Sequence, residues 1–398
     1  MAFVMYAASV SFLFDEVAQA APIVDPRAPI QFQPSLTQTS TAVPAVNITA
    51  PNANGISVNN FQSLNVDGTG LVVNNSLVSG TPLLGGTLGA NPNLAGRTAS
   101  TILAQVTSTG TQYRSVLAGP LEVFGSPAAL IVSNPNGISV NGLSVTNATN
   151  LTLTTGAAQF LSGVGGSSTD FTHAAALGYA VISGDISISG PAGANGTPGA
   201  GIEGTVGNLD LIGQSVSIAA PLYADQRVNV IAGNQTVTPV SAGAAGNSYA
   251  TAANGVPVAP TSSGYAIDAS RYGSVTAGQI FIVSNAAGVG VRALGPLAAT
   301  AGNLVVTSNG DIVAGSTYAQ QGATLTSAGN VSMSGNALAN QYAVNAAGDI
   351  SAAGATVQSV QDLSMTAGGS LSVGTAQSNG SVKLTTYACP ATPVICVW

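Results

Sequence analysis

The chain has 398 residues, of which only 5% are charged, with seven basic and fourteen acidic side chains and a net charge of −7. The bases (Arg27, Arg97, Arg114, Arg227, Arg271, Arg292 and Lys383) are scattered, which excludes a nucleic-acid surface built on a basic patch. No apolar run reaches the roughly 18 residues of a membrane-spanning helix, and an apolar content of 45% argues against disorder.

Residues 2–14 (AFVMYAASVSFLF) form an apolar run of the length of an export-signal core, and Ala18-Gln19-Ala20 fits the small-x-small cleavage rule. Residues 1–20 are therefore expected to be a signal peptide cut before Ala21. No Lys or Arg precedes Arg27, and Asp15 and Glu16 stand before the cleavage point. A start codon assigned too far downstream, truncating a longer leader, accounts for this; the other reading is a buried N-terminal strand. The next stretch, 21–50, is rich in proline and lacks a periodic pattern, so it is expected to be extended and irregular.

From about residue 55, short segments of period-two alternation end in Gly or Asn: GLVVNN, ALIVSN, GISVNGLSVTN, LTLTTG, YAVISGDISISG, LDLIGQSVSIAA, RVNVIAG and QIFIVSN. Strands this short need neighbours above and below. Residues 190–204 and 238–264 interrupt the pattern and are expected to be loops, the second an excursion off the stack.

The last third makes a repeat explicit. Segments 308–326, 327–345, 346–366 and 367–385 have periods of 19, 19, 21 and 19 residues, each opening on a turn glycine: Gly310, Gly329, Gly348 and Gly369. Glycine there is expected to take a positive φ, with turn Asn or Ser bonding between coils. A period near 20 fits one coil of a parallel β-helix, and the leucine pattern of leucine-rich repeats is absent. The expected fold is an all-β, right-handed, single-stranded parallel β-helix with extra-helical loops. At a coil spacing of ~4.8 Å it would be a rod on the order of 80 Å long.

Two Asn-Pro-Asn motifs stand out, Asn91-Pro92-Asn93-Leu94 and Asn134-Pro135-Asn136-Gly137 followed by Ile138. Asn-Pro favours turn initiation with φ fixed at Pro, and Asn-Gly supplies left-handed residues for a tight turn. Both motifs read locally as coil corners.

Catalytic and metal chemistry has little to work with. His173 is the only histidine and reads as a solvated loop residue. Cys389 and Cys396 lie in the last ten residues and cannot frame the fold. No cofactor motif is present. Asp185, Glu203, Asp210 and Asp225, with Arg227 near, are the carboxylates to weigh for a β-helix polysaccharide-degrading enzyme, and they read as isolated, solvated turn residues.

The ordered set of segments resembles the secretion domain of the two-partner-secretion exoproteins, the filamentous haemagglutinin and haemolysin-like family. FQSLNVDGTGLVVNNS (61–76) looks like its first core coil, Asn91 to Leu94 match its NPNL motif, and Asn134 to Ile138 its NPNG-Ile motif. Segments 151–156, 209–237 and 265–312 are similar to its later parts, so the resemblance covers roughly 45–312. Two places where some relatives carry Cys hold Val140 and Leu143, and an Arg usual in the following coil is missing near Ala148 to Asn150. The resemblance implies a secretion domain at 51–300, filament repeats at 301–385 and an irregular tail at 386–398. It further implies a non-catalytic adhesin, secreted or displayed on a Gram-negative cell surface by way of the periplasm. The implied partners are an Omp85-like outer-membrane transporter, with the Asn-Pro-Asn motifs in the recognised domain, and a host receptor or glycan. The alternative is a fragment of a contact-dependent growth-inhibition or haemolysin-type toxin.

Overall fold

A computed structural model describes residues 21–193, 197–204, 206–241, 248–255 and 260–387. The expected signal peptide, with Ala18 and Ala20, and the tail that holds Cys389 and Cys396 lie outside the described residues; Ala21 is exposed at their start.

Parallel pairing links each strand to one a full coil earlier, so the chain winds as a β-helix with three faces. The first face begins with Ile56–Ser63, Thr101–Val106, Ala128–Ser133, Ala148–Thr154 and Asn208–Gly213. The second runs through Ser115–Leu117, Ile138–Asn141, Asp185–Ser189 and Ser215–Ile218. The third runs through Leu71–Asn75, Pro120–Gly125, Leu143–Thr146 and Ile202–Gly204. Among the described residues the only helices are two 3-10 turns, Ile30–Phe32 and Thr111–Tyr113.

Alternation explains the winding. In Ile312–Ala314 the outer two residues are buried and Val313 is half-buried, so one side of each strand faces the axis. Leu130, Leu151, Leu209, Val228, Ile280 and Leu304 sit in register, one above another, in a single apolar stack. Each such side chain contributes about 1.5–3 kcal/mol by leaving water.

The repeat periods match the register. Leu304, Ala323, Tyr342, Leu363 and Val382 are successive partners, at steps of 19, 19, 21 and 19 residues. Some coils nearer the N-terminus consume far more chain: one coil separates Leu151 from Leu209, and one separates Val228 from Ile280. The twelve strand segments of the first face thus give a stack roughly 50 Å long, shorter than the sequence estimate.

Three expectations are corrected. Segment 21–50 is not irregular: Ser35–Gln38 pairs antiparallel with Pro44–Asn47, and Ile23–Val24 pairs antiparallel with Ile56–Ser63. These strands cover the edges of the first coil, which would otherwise template association. Second, the loop expected at 190–204 ends in the coil strand Ile202–Gly204. Third, Ala176–Val181, read as a coil strand, leaves the helix. It joins Ala157–Leu161, Gln235–Pro239 and Tyr249–Ala253 in a four-stranded antiparallel sheet. The excursion expected at 238–264 therefore supplies a paired strand.

That extra-helical sheet lies on the first face. Leu177, Tyr179, Val181 and Val237 point down onto Val58, Leu103, Ile131, Ile212 and Ile231 in one buried cluster. The sequence carries this as the run ALIV, apolar on both sides of the strand, as strands covered on both faces require.

Candidate functional site

Both Asn-Pro-Asn motifs are coil corners; the first asparagine of each is buried and the second half-buried. Asn91 is 5% and Asn134 0% exposed. In each motif the first Asn accepts, through Oδ1, the backbone N–H of the third residue, at 2.9 Å in both cases. Its amide then reaches another coil. Asn91 Nδ2 donates to Ile48 O (3.0 Å) and Asn74 O (2.8 Å); Asn134 Nδ2 donates to Tyr113 O (2.7 Å) and Ser115 Oγ (2.9 Å).

The second asparagines do the same. Asn93 Nδ2 donates to Asn47 O and Ser35 Oγ, tying the first corner to the antiparallel cap. Asn136 Oδ1 accepts from Gly110 N at 2.8 Å, while its Nδ2 donates to Ser108 O at 2.7 Å and Asn134 Oδ1 at 2.8 Å. Leu94 and Ile138, the residues after each corner, enter the core at 1% and 0% exposure. Pro92 is exposed and Pro135 half-buried. No hydrogen bond joins one motif to the other among the described residues.

The corner at 134–137 differs from the expected pair of left-handed residues. Only Gly137 is left-handed, at φ 104°; Asn136 is not. Gly137 N donates to Asn134 O at 3.0 Å, so Pro135 and Asn136 are the central residues of one β-turn. Glycine is doubly required at 137, because a Cβ there would also collide with the Arg114 guanidinium. Arg114 passes over the corner to pair with both carboxylate oxygens of Asp185 at 2.7 Å, and bonds Ser139 Oγ, Ile138 O and Ser187 Oγ on the way. It ties three successive coils of the second face. Sequence reasoning gave Arg114 no role, since its partners lie 24 to 73 residues away.

Buried Asn47, Asn74 and Asn75 were also missed. Asn74 Nδ2 donates to Asn47 Oδ1 at 2.8 Å, and Asn75 both donates to Ala99 O and accepts from Ala99 N. Their signal was present as asparagines ending the apolar strands PAVN and LVVNN. Val140 and Leu143 point into the core, each 1% exposed.

The carboxylates weighed for catalysis are kept apart. Asp185 lies on the second face with Arg114, Glu203 on the third, and Asp225 is exposed beyond it. Asp210, expected to be a solvated turn residue, is instead 6% exposed beneath the extra-helical sheet. Asn229 Nδ2 donates to its Oδ1 at 2.6 Å, while Tyr249 Oη and Thr152 Oγ1 donate to its Oδ2 at 2.7 and 3.1 Å. Burial pushes the Asp210 carboxyl above the usual carboxylate range, against those donors and the positive charge of Arg227. His173 is exposed and meets Asp170 Oδ1 at 2.9 Å, which holds the Asp170 carboxyl below its usual range. No group of three or more His, Cys, Asp or Glu suited to a metal occurs among the described residues.

The arrangement has a structural chemistry: backbone groups at coil corners satisfied by buried amides, in a β-helix carrying an antiparallel cap and an extra-helical sheet. It is the architecture of an exoprotein secretion domain. The chain belongs to the two-partner-secretion domain family, whose model (TPS secretion domain) matches residues 20–314. It is 38% identical to the filamentous hemagglutinin of Bordetella pertussis over 85% of this chain and 9% of that protein. It is 36% identical to the tRNA nuclease CdiA-2 of Burkholderia pseudomallei over 70% of this chain and 8% of that protein. The hemolysin of Serratia marcescens is 34% identical over 66% of this chain and 15% of its own length. The crystal structure of a filamentous hemagglutinin secretion domain superposes with a TM-score of 0.60 at 30% identity, covering 92% of this chain and all of that one. The chain spans about a tenth of the length of these curated relatives, so the activities in their names concern proteins mostly beyond the match.

Proposed function

We propose that residues 21–312 are an export module, recognised in the periplasm by an Omp85-like outer-membrane transporter, and that the coils that follow are its first passenger. The family match over residues 20–314 carries this reading, since a two-partner-secretion domain implies such a partner. The chain crosses the outer membrane unfolded and folds at the surface coil upon coil, and each closed coil opposes return. The Asn-Pro-Asn corners act by shaping the domain: the first asparagine of each is buried, away from a docking protein. The product is an adhesin-like, non-catalytic surface or secreted rod that meets a host receptor or glycan. Relatives named for a hemagglutinin, a hemolysin and a nuclease all share this module, so export is the role common to them.

Deletion of residues 45–300, tested in cells that supply the transporter, is expected to leave the remainder in the periplasm. Normal secretion of that deletion overturns the assignment.

A further inference from the structure

The corner at 134–137 combines two requirements that together impose a chemically labile bond. Position 136 must be an amide. Gly110 N is a donor and Ser108 O an acceptor, and both meet the same side chain at 2.8 and 2.7 Å. Only a carboxamide satisfies both; a carboxylate would turn an anionic oxygen toward Ser108 O and Asn134 Oδ1. Position 137 must be glycine, for its φ of 104° and for the passage of Arg114. Asparagine followed by glycine is the junction at which a chain most readily deamidates, because no side chain on the following residue hinders the backbone nitrogen. The other three asparagines of the two motifs precede Pro92, Leu94 and Pro135 and lack that junction.

We propose that Asn136–Gly137 is a spontaneous deamidation site, open in the unfolded chain and closed in the folded β-helix, and that its conversion prevents this corner from forming. The Gly137 nitrogen attacks Asn136 Cγ, a C–N bond forms, and ammonia leaves with the side-chain nitrogen. Water then opens the resulting succinimide to aspartate or isoaspartate; no oxidant or other co-reactant is needed. Folding blocks the first step twice. The Asn136 amide is held by three hydrogen bonds, and Gly137 N–H is engaged by Asn134 O. An unfolded export substrate has neither protection, so residence in that state is recorded at Asn136 as well as at the chain's other Asn-Gly junctions. Isoaspartate adds a methylene to the backbone of the turn, and aspartate sets charge against two acceptor oxygens; either opposes closure.

Purified full-length chain is held in mildly alkaline buffer, folded or in urea, and sampled by peptide mapping. Exposed Asn379, which also precedes a glycine, is the internal reference; Gly380 N–H is engaged there too, by Gln361 O, so the two sites are compared on the hold on the side-chain amide. In the folded chain Asn136 is expected to convert at least about tenfold more slowly than Asn379, because reaction requires local opening; in urea the two convert alike. Aged, urea-unfolded chain is then refolded, and folded and unfolded pools are mapped separately. Deamidated Asn136 is expected to concentrate in the unfolded pool, while deamidated Asn379 divides equally. Equal rates at the two sites in the folded chain, or equal division of modified Asn136 between the pools, overturns the proposal.

Discussion

The coils before residue 300 and the repeats after it use the same winding and hold it by different means. In the early coils, corner asparagines are buried and staple backbone groups of neighbouring coils, as Asn91 and Asn134 do. In the repeats the equivalent bonds run on the surface. Asp311 Oδ1 accepts from Asn330 N, Asn330 Oδ1 from Asp349 N, and Asp349 Oδ1 from Ser370 N, at 2.7 to 2.8 Å. The early coils carry a second layer on the first face and consume long excursions; the repeats are covered on one side and spend 19 or 21 residues a turn. Desolvated polar staples are costly to break but tolerate irregular coils, whereas an exposed ladder works only where coil length repeats. In the proposed reading the early coils are recognised and the repeats are carried, and the two kinds of fastening accord with those roles.

The sharpest contrast is expected in packing. Ile212, fully buried between coil and extra-helical sheet, should lose about 3 kcal/mol on Ile212→Ala. Outward-facing Val313 of the repeats should change by about 0.5 kcal/mol or less on Val313→Ala, read from urea midpoints. Next comes the staple. Asn134→Ala leaves Tyr113 O and Asn136 N without partners and should cost about 2–3 kcal/mol, against about 0.5 kcal/mol for Asn330→Ala on the exposed ladder. Equal losses in that pair would erase the distinction between buried and surface fastening. Turn strain is third. Gly137→Ala should cost about 2 kcal/mol, and Gly288→Ala, also at positive φ but with open space around it, about 1 kcal/mol.

The smallest effect concerns pH. Burial raises the Asp210 carboxyl in the folded chain, so the folded state holds that proton more tightly than the unfolded chain does. Its contribution is fully present below the ordinary carboxylate value and is lost as pH rises through the folded one. Asp210→Asn should flatten that fall while keeping the side-chain volume. A midpoint that falls with pH as steeply in Asp210→Asn as in the parent would show that other groups carry it.

Much of this was legible in the sequence where interactions are local. The 19, 19, 21 and 19 spacing matches the coil register, because one repeat is one turn of the helix. The two corners were readable from Pro and Asn. The turn glycines were found for the wrong reason. Gly329, Gly348 and Gly369 are not left-handed; a Cβ on them would strike Asp311, Asn330 and Asp349, the acceptors of the ladder. What escaped was non-local. The cap strand Ile23–Val24 finds its partner near residue 60. Asp210 is buried by strands drawn from 157–181 and 235–253. Arg114 depends on Asp185, which no window around residue 114 contains.

The claim that the early coils export and the repeats follow is tested most directly by transplantation. Residues 21–312, placed behind an independent periplasmic export signal and ahead of an unrelated unfolded passenger, are followed in cells with and without the partner transporter. The account expects the passenger in the medium only when the transporter is present. A passenger that stays in the periplasm while the parent chain is secreted would contradict it.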